Sequence, residues 1–148
     1  MTRTQLQKLA GALAIALTAS TAGAQVSYYN KGNDPSRPFS LAVRAGDTVY
    51  LAGQLGLGAD GKLPQGMEAQ SRQAMDNIAA VLKGMDLSLD NVVKCTVMLA
   101  DMSKWGDFNK VYAGYFKPGR MPARSALGAN GLALGADVEV ECIAYVPH

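Results

Sequence analysis

Histidine is nearly missing from this sequence: the 148 residues hold one, His148, at the very end. A Ser-His-Asp or Cys-His site, or a histidine-bound zinc, would have to rest on a terminus, where chains fray. Acid–base chemistry is left to carboxylates, tyrosines, lysines or bound water. Cysteine is sparse as well. Cys95 and Cys142 form no CxxC and have no histidine at ligand spacing, so they offer no metal site. They permit one disulfide, yet "VKCTVML" and "VECIAYV" read equally as strand interiors holding two buried thiols. The residues leave both readings open.

Long apolar runs are missing beyond the first 24 residues, so no later segment could span a bilayer as a helix. Those first residues, "MTRTQLQKLAGALAIALTASTAGA", carry Arg3 and Lys8, an apolar stretch from Leu9 to about Thr18, and small residues at Ala22-Gly23-Ala24. That pattern predicts a signal peptide over 1–24, cleaved to leave one domain over 25–148 in the periplasm or secreted. Without Arg3 and Lys8 the 14 basic residues fall to 12, matching the 12 acidic ones. A neutral domain with no Lys/Arg run gives no electrostatic footprint for nucleic acid.

What is present is patterned. "FSLAVRAG" and "DTVYLAGQLGL" read as a hairpin of two strands, after the loop-like lead-in "YYNKGNDPSRP". Ala74, Ile78, Val81, Leu82 and Met85 recur at helical spacing from Met67 to about Lys83, with Gly84 to end the helix. "NVVKCTVML" alternates, with Val93, Cys95, Val97 and Leu99 on one face and Lys94, Thr96 and Met98 on the other. A second helix over "SKWGDFNKVYAGYF" has Ser103 as candidate cap and Trp105, Phe108, Val111, Tyr112 and Tyr115 as its buried face. Strands over about Arg124–Ala129 and Val138–Val146 follow. The order ββαβαββ predicts an α+β fold, a mixed sheet with both helices on one face. The other face is then bare, which predicts self-association through it.

Few residues are placed for chemistry. In "VEVEC", Glu139 and Glu141 share the face away from the helices. They read either as charges on a solvated strand or as carboxylates in a cleft between subunits, one of them activating water. Arg124, behind Met121-Pro122-Ala123, reads either as an ion-pair partner of those glutamates or as a bidentate clamp for a substrate carboxylate. Lys94 beside the glutamates is more simply an ion-pair partner than a Schiff-base lysine. "LAGQLGLGADG" lacks the phosphate-loop pattern, so Gly53 reads as a point where backbone approaches something closely.

The stretches "LAGQLGL", "QSRQAMDNIAAVL", "NVVKCTVMLADM", "FNKVYAGYF", "MPARSALG" and "VEVECIAYV" run nearly unbroken from about Pro38 to Val146. With them the chain resembles the Rid/YjgF family of reactive-intermediate (enamine/imine) deaminases, "PARS" and "VEVE" being the most specific marks. The resemblance implies a chorismate-mutase-like fold, a homotrimer with bare sheet faces forming a barrel, and three clefts between subunits. It implies hydrolysis of short 2-imino and 2-enamino acids to 2-keto acids and ammonia, without metal or cofactor. Arg124 matches the carboxylate clamp, Glu139 the glutamate of the hydrolytic water, Gly53 a backbone contact to ligand, and Asn109 an asparagine near the same cleft. Two positions depart from the family. Phe39 follows Pro38 where active members often have Tyr, and Ala126 stands where many bacterial members have Cys. An alternative is therefore a non-catalytic relative that binds a small carboxylate metabolite or acts as a stress or chaperone-like protein. A ribonuclease reading lacks both a histidine pair and a basic groove.

Overall fold

A computed structural model describes residues 25–30 and 36–147; the signal peptide expected over 1–24 lies outside them. The chain forms β1 (Val26–Tyr29), β2 (Ala42–Ala45), β3 (Thr48–Leu51), β4 (Gln54–Leu55) and α1 (Met67–Lys83). Then come β5 (Val92–Leu99), α2 (Trp105–Ala113), β6 (Ala123–Gly128) and β7 (Val138–Tyr145). The sheet order is β1-β2-β3-β7-β5-β6, with β4 also paired to β7. Every pairing is antiparallel except β5 with β6, the one joined through a helical crossover, α2. The last strand is thus central, inserted between β3 and β5.

Burial follows the two periodicities. Val138, Val140, Cys142 and Ala144 are buried on β7, as are Val97 and Leu99 on β5. They pack with Met75, Ile78 and Leu82 of α1 and Phe108 of α2 into one core. Each buried Val, Leu, Ile, Met or Phe among them contributes roughly 1.5–3 kcal/mol of hydrophobic burial. Buried Gln70 ties α1 to the start of β7 reciprocally: its Nε2 donates to Asp137 Oδ2 (3.1 Å) and its Oε1 accepts from Asp137 N (2.8 Å). Gly56 has no side chain because a Cβ there would collide with the Gln70 backbone. On the other face Tyr50, Lys94, Met98, Glu139, Glu141 and Tyr145 are exposed or half-buried, with no helix over them among the described residues.

The α+β expectation holds, and α1 has the expected bounds. Five local expectations change. The lead-in is not all loop, because Tyr28 and Tyr29 belong to β1, an exposed edge strand paired with Val43 and Ala42. "DTVYLAGQLGL" is not one strand but β3 and β4, broken at Ala52 and Gly53. Val92, not Val93, is buried, since a bulge between Val92 and Lys94 flips the first residues of β5. Ser103 is not the cap: its own N–H is held by Asp101 Oδ1 (2.9 Å) at the start of a short 3-10 turn leading into α2. That helix also ends early, at Ala113, leaving Tyr115 beyond it. The cysteine question is settled. Cys95 and Cys142 face each other across β5 and β7 and are joined as a disulfide, S–S 2.05 Å.

Candidate active site

Glu139 and Gly53 form one half of the constellation. Tyr50 pairs with Ile143 and Gln54 with Val140, so four steps along β3–β4 meet three along β7. The extra residue bulges the ladder at Ala52–Gly53, a device that re-aims backbone beside functional sites. The Glu139 carboxylate fills the space a Gly53 Cβ would need. Gln54 Nε2 secures the bulge by donating to Ala52 O (3.1 Å) and Gly53 O (3.2 Å). Ala52 N donates to Leu41 O (3.0 Å), continuing the β2–β3 register and carrying the chain before Leu41 past Gly53. Phe39 lies on that stretch, 53 % exposed, with the Arg37 guanidinium carbon 5.8 Å from its ring centroid.

Arg124 forms the other half. The β5–β6 register pairs Cys95 with Arg124 and Val97 with Ala126, so both β6 residues face the helices. The guanidinium carbon lies 4.7 Å from the Tyr112 ring centroid, 5.0 Å from Trp105 and 5.7 Å from Phe108. It shares a pocket of about 300 Å³ with Asn109, Tyr112, Ala113, Met121 and Pro122. Asn109 Oδ1 and the Tyr112 hydroxyl are both buried there with no hydrogen-bond partner among the described residues. Burial raises the Tyr112 pKa, opposed by the Arg124 charge beside it.

The two halves lie on opposite faces of the sheet, with Glu139 and Glu141 away from the helices and Arg124 toward them. An ion pair between Arg124 and either glutamate is therefore not what holds the arginine. Exposed ion pairs form elsewhere, Lys110 with Asp107 and Lys117 with Asp90. Trp105 and Tyr112, which helical spacing marks only as core, line the guanidinium. The available signal was their i, i+3, i+7 run with Phe108 opposite a strand arginine. A larger cavity of about 620 Å³ at the start of α1, between Gln65 and Arg72, contains none of the expected site residues. No group of three or more His, Cys, Asp or Glu is placed to hold a metal among the described residues.

Comparison with known proteins identifies the family. The profile of the endoribonuclease L-PSP family matches residues 31–146. A 2-iminobutanoate/2-iminopropanoate deaminase of Mus musculus is 42 % identical over 109 residues, covering 72 % of this chain and 80 % of that one. The chloroplastic Reactive Intermediate Deaminase A of Arabidopsis thaliana is 36 % identical over 132 residues, covering 88 % and 70 %. The crystal structure of the Rid-family protein YyfA from Yersinia pestis superposes with a TM-score of 0.76 at 36 % identity, covering 82 % of this chain and all of that one. With its mixed sheet, paired helices and matching motifs, this chain belongs to the endoribonuclease L-PSP family, the Rid/YjgF proteins.

Proposed function

We propose that the chain is a hydrolytic deaminase of short 2-imino and 2-enamino acids. The observation that carries this reading is a guanidinium without a carboxylate partner among the described residues, opening into a pocket beside Asn109. Relatives named as 2-iminobutanoate/2-iminopropanoate deaminases support the substrate class. Arg124 clamps the substrate carboxylate in a bidentate pair, with Asn109 lining the same pocket. Glu139, set over Gly53, takes a proton from water as the oxygen attacks the C=N carbon. The imine nitrogen takes up one proton as water adds and a second as the tetrahedral carbinolamine collapses. These balance the proton passed to Glu139 and the proton lost from the hydroxyl, so ammonia leaves and the 2-keto acid remains. The Ala126 carbonyl is the backbone acceptor for that water. Such imines hydrolyse unaided, so orientation plus one carboxylate supplying roughly 10²–10⁴-fold suffices.

Because Arg124 and Glu139 face opposite sides of one sheet, a site using both takes Arg124 from one copy and Glu139 from another. The exposed apolar residues on the bare face, Tyr50 and Tyr145, favour the homotrimer implied by the family resemblance. The N-terminal segment and the Cys95–Cys142 disulfide favour cleavage after residue 24 and a periplasmic or secreted single domain over 25–148. A second reading, a carboxylate-binding protein without catalysis, is favoured by Phe39, which brings no hydroxyl to the stretch beside Gly53. The test is ammonia and keto-acid release from 2-iminopropanoate generated by an amino-acid oxidase, with wild type and Arg124→Ala. Wild-type acceleration lost in the variant, with the trimer intact by light scattering, is the expected result. Normal turnover by Arg124→Ala would sink the assignment, and no acceleration by wild type that still binds a carboxylate selects the binder.

A further inference from the structure

Among the described residues Arg124 is held by rings, not by a carboxylate. The difference matters because a guanidinium carries its five N–H donors in its plane. A salt bridge would fix Arg124 and consume two of those donors. A ring face attracts the cation through its quadrupole and consumes none. The rings are themselves anchored: Tyr112 packs between Phe108 and Phe116, at centroid distances of 5.4 and 4.9 Å. The strand beneath is anchored too, since Cys95, the β5 partner of Arg124, is joined to Cys142. Rings also keep water from the guanidinium, which strengthens the charge-assisted bonds its free edge can make.

We propose that Trp105 and Tyr112 are positioning residues for Arg124, holding the guanidinium through their ring faces and leaving its N–H donors free for a substrate carboxylate. The proposal rests on the reading of Arg124 as carboxylate anchor and assigns a role to aromatics that helical spacing marks as core alone. Trp105 is the only tryptophan of the chain and lies 5.0 Å from the guanidinium carbon, so its fluorescence reports on that group directly.

The test has two arms. In the first, the full protein is titrated with 2-oxobutanoate, a stable keto acid, while tryptophan emission is read. A saturable change in wild type that disappears in Arg124→Ala is expected. In the second, KM and kcat for 2-iminopropanoate and the calorimetric Kd for 2-oxobutanoate are measured in ring variants. Trp105→Leu raises KM and Kd about 5- to 30-fold, equivalent to about 1–2 kcal/mol, with kcat nearly unchanged. Trp105→Phe, which keeps a ring face, restores both. Trp105 is partly buried at the edge of the core, and melting curves separate a loss of stability from a loss of binding. Wild-type KM and Kd in Trp105→Leu, or an equal rise in Trp105→Phe, overturns the positioning role and leaves the deaminase reading standing. Binding and turnover unaffected by Arg124→Ala overturn the reading beneath it.

Discussion

The Glu139 carboxylate occupies the space that a Cβ on Gly53 would need. Gly53 lies in the bulge between β3 and β4 and has no positive φ, so its backbone would accept alanine without strain. Gly53→Ala therefore acts through Glu139, by displacing the carboxylate from its place. Turnover of 2-iminopropanoate should fall roughly 10²-fold, toward the level of Glu139→Gln, as expected for losing a positioned base. Binding of 2-oxobutanoate should change little, because Arg124 is untouched. Steady-state kinetics beside calorimetry separates the two effects, and full activity in Gly53→Ala would remove Glu139 from the mechanism.

Arg124→Lys keeps the charge and loses the planar fork. Lysine binds a carboxylate as a point charge and fits a ring-lined pocket less well. We expect kcat/KM to drop roughly 10–100-fold, the worth of a hydrogen bond to a charged group. Titrating 2-oxobutanoate against both proteins measures the same loss in affinity. A lysine variant equal to wild type would mean that charge alone suffices.

The disulfide closes a loop of 47 residues between two buried positions, which predicts roughly 2–4 kcal/mol of stabilisation through the unfolded chain. Cys95→Ala with Cys142→Ala should lower the melting temperature by several degrees, as should reduction after unfolding. Calorimetric scans with and without reductant check this, and intact mass under non-reducing conditions shows the missing pair of hydrogens.

High pH should loosen the contact between the two helices. From just beyond α2 the Tyr115 hydroxyl donates to Asp76 Oδ1 (2.7 Å) and lies 3.0 Å from Arg72 O. Burial, then the bond to Asp76 and its charge, push its pKa from 10.0 to about 12. A raised phenol pKa means the folded state favours the neutral form. The contribution is therefore complete below 10.0 and is lost as pH rises through about 12. Urea unfolding followed across that window should show falling stability in wild type and a shallower fall in Tyr115→Phe. Tyr112, whose pKa burial also raises, retains part of the slope in both.

Local sequence was enough wherever one element decides its own burial. Ala74, Ile78, Val81 and Leu82 mark the inner face of α1 because a helix repeats every 3.6 residues. Val138, Val140 and Cys142 place Glu139 and Glu141 outward because a strand repeats every two. The single histidine likewise bounded the chemistry before any fold was known. The bulges were beyond that reach. An inserted residue at Ala52–Gly53 or at Val93 changes phase without changing composition, so Val92 rather than Val93 turned inward.

Tertiary structure decided what meets what. Nothing within β7 says that it enters between β3 and β5, yet that insertion brings Cys142 to Cys95 and Glu139 to Gly53. Nothing in "PARS" says which side of the sheet its arginine takes; the parallel register with β5 turned Arg124 onto Trp105 and Tyr112 and away from both glutamates. Periodicity is a property of one segment and can be read along it. Pairing is a free-energy choice among distant segments, settled only when the whole core packs at once.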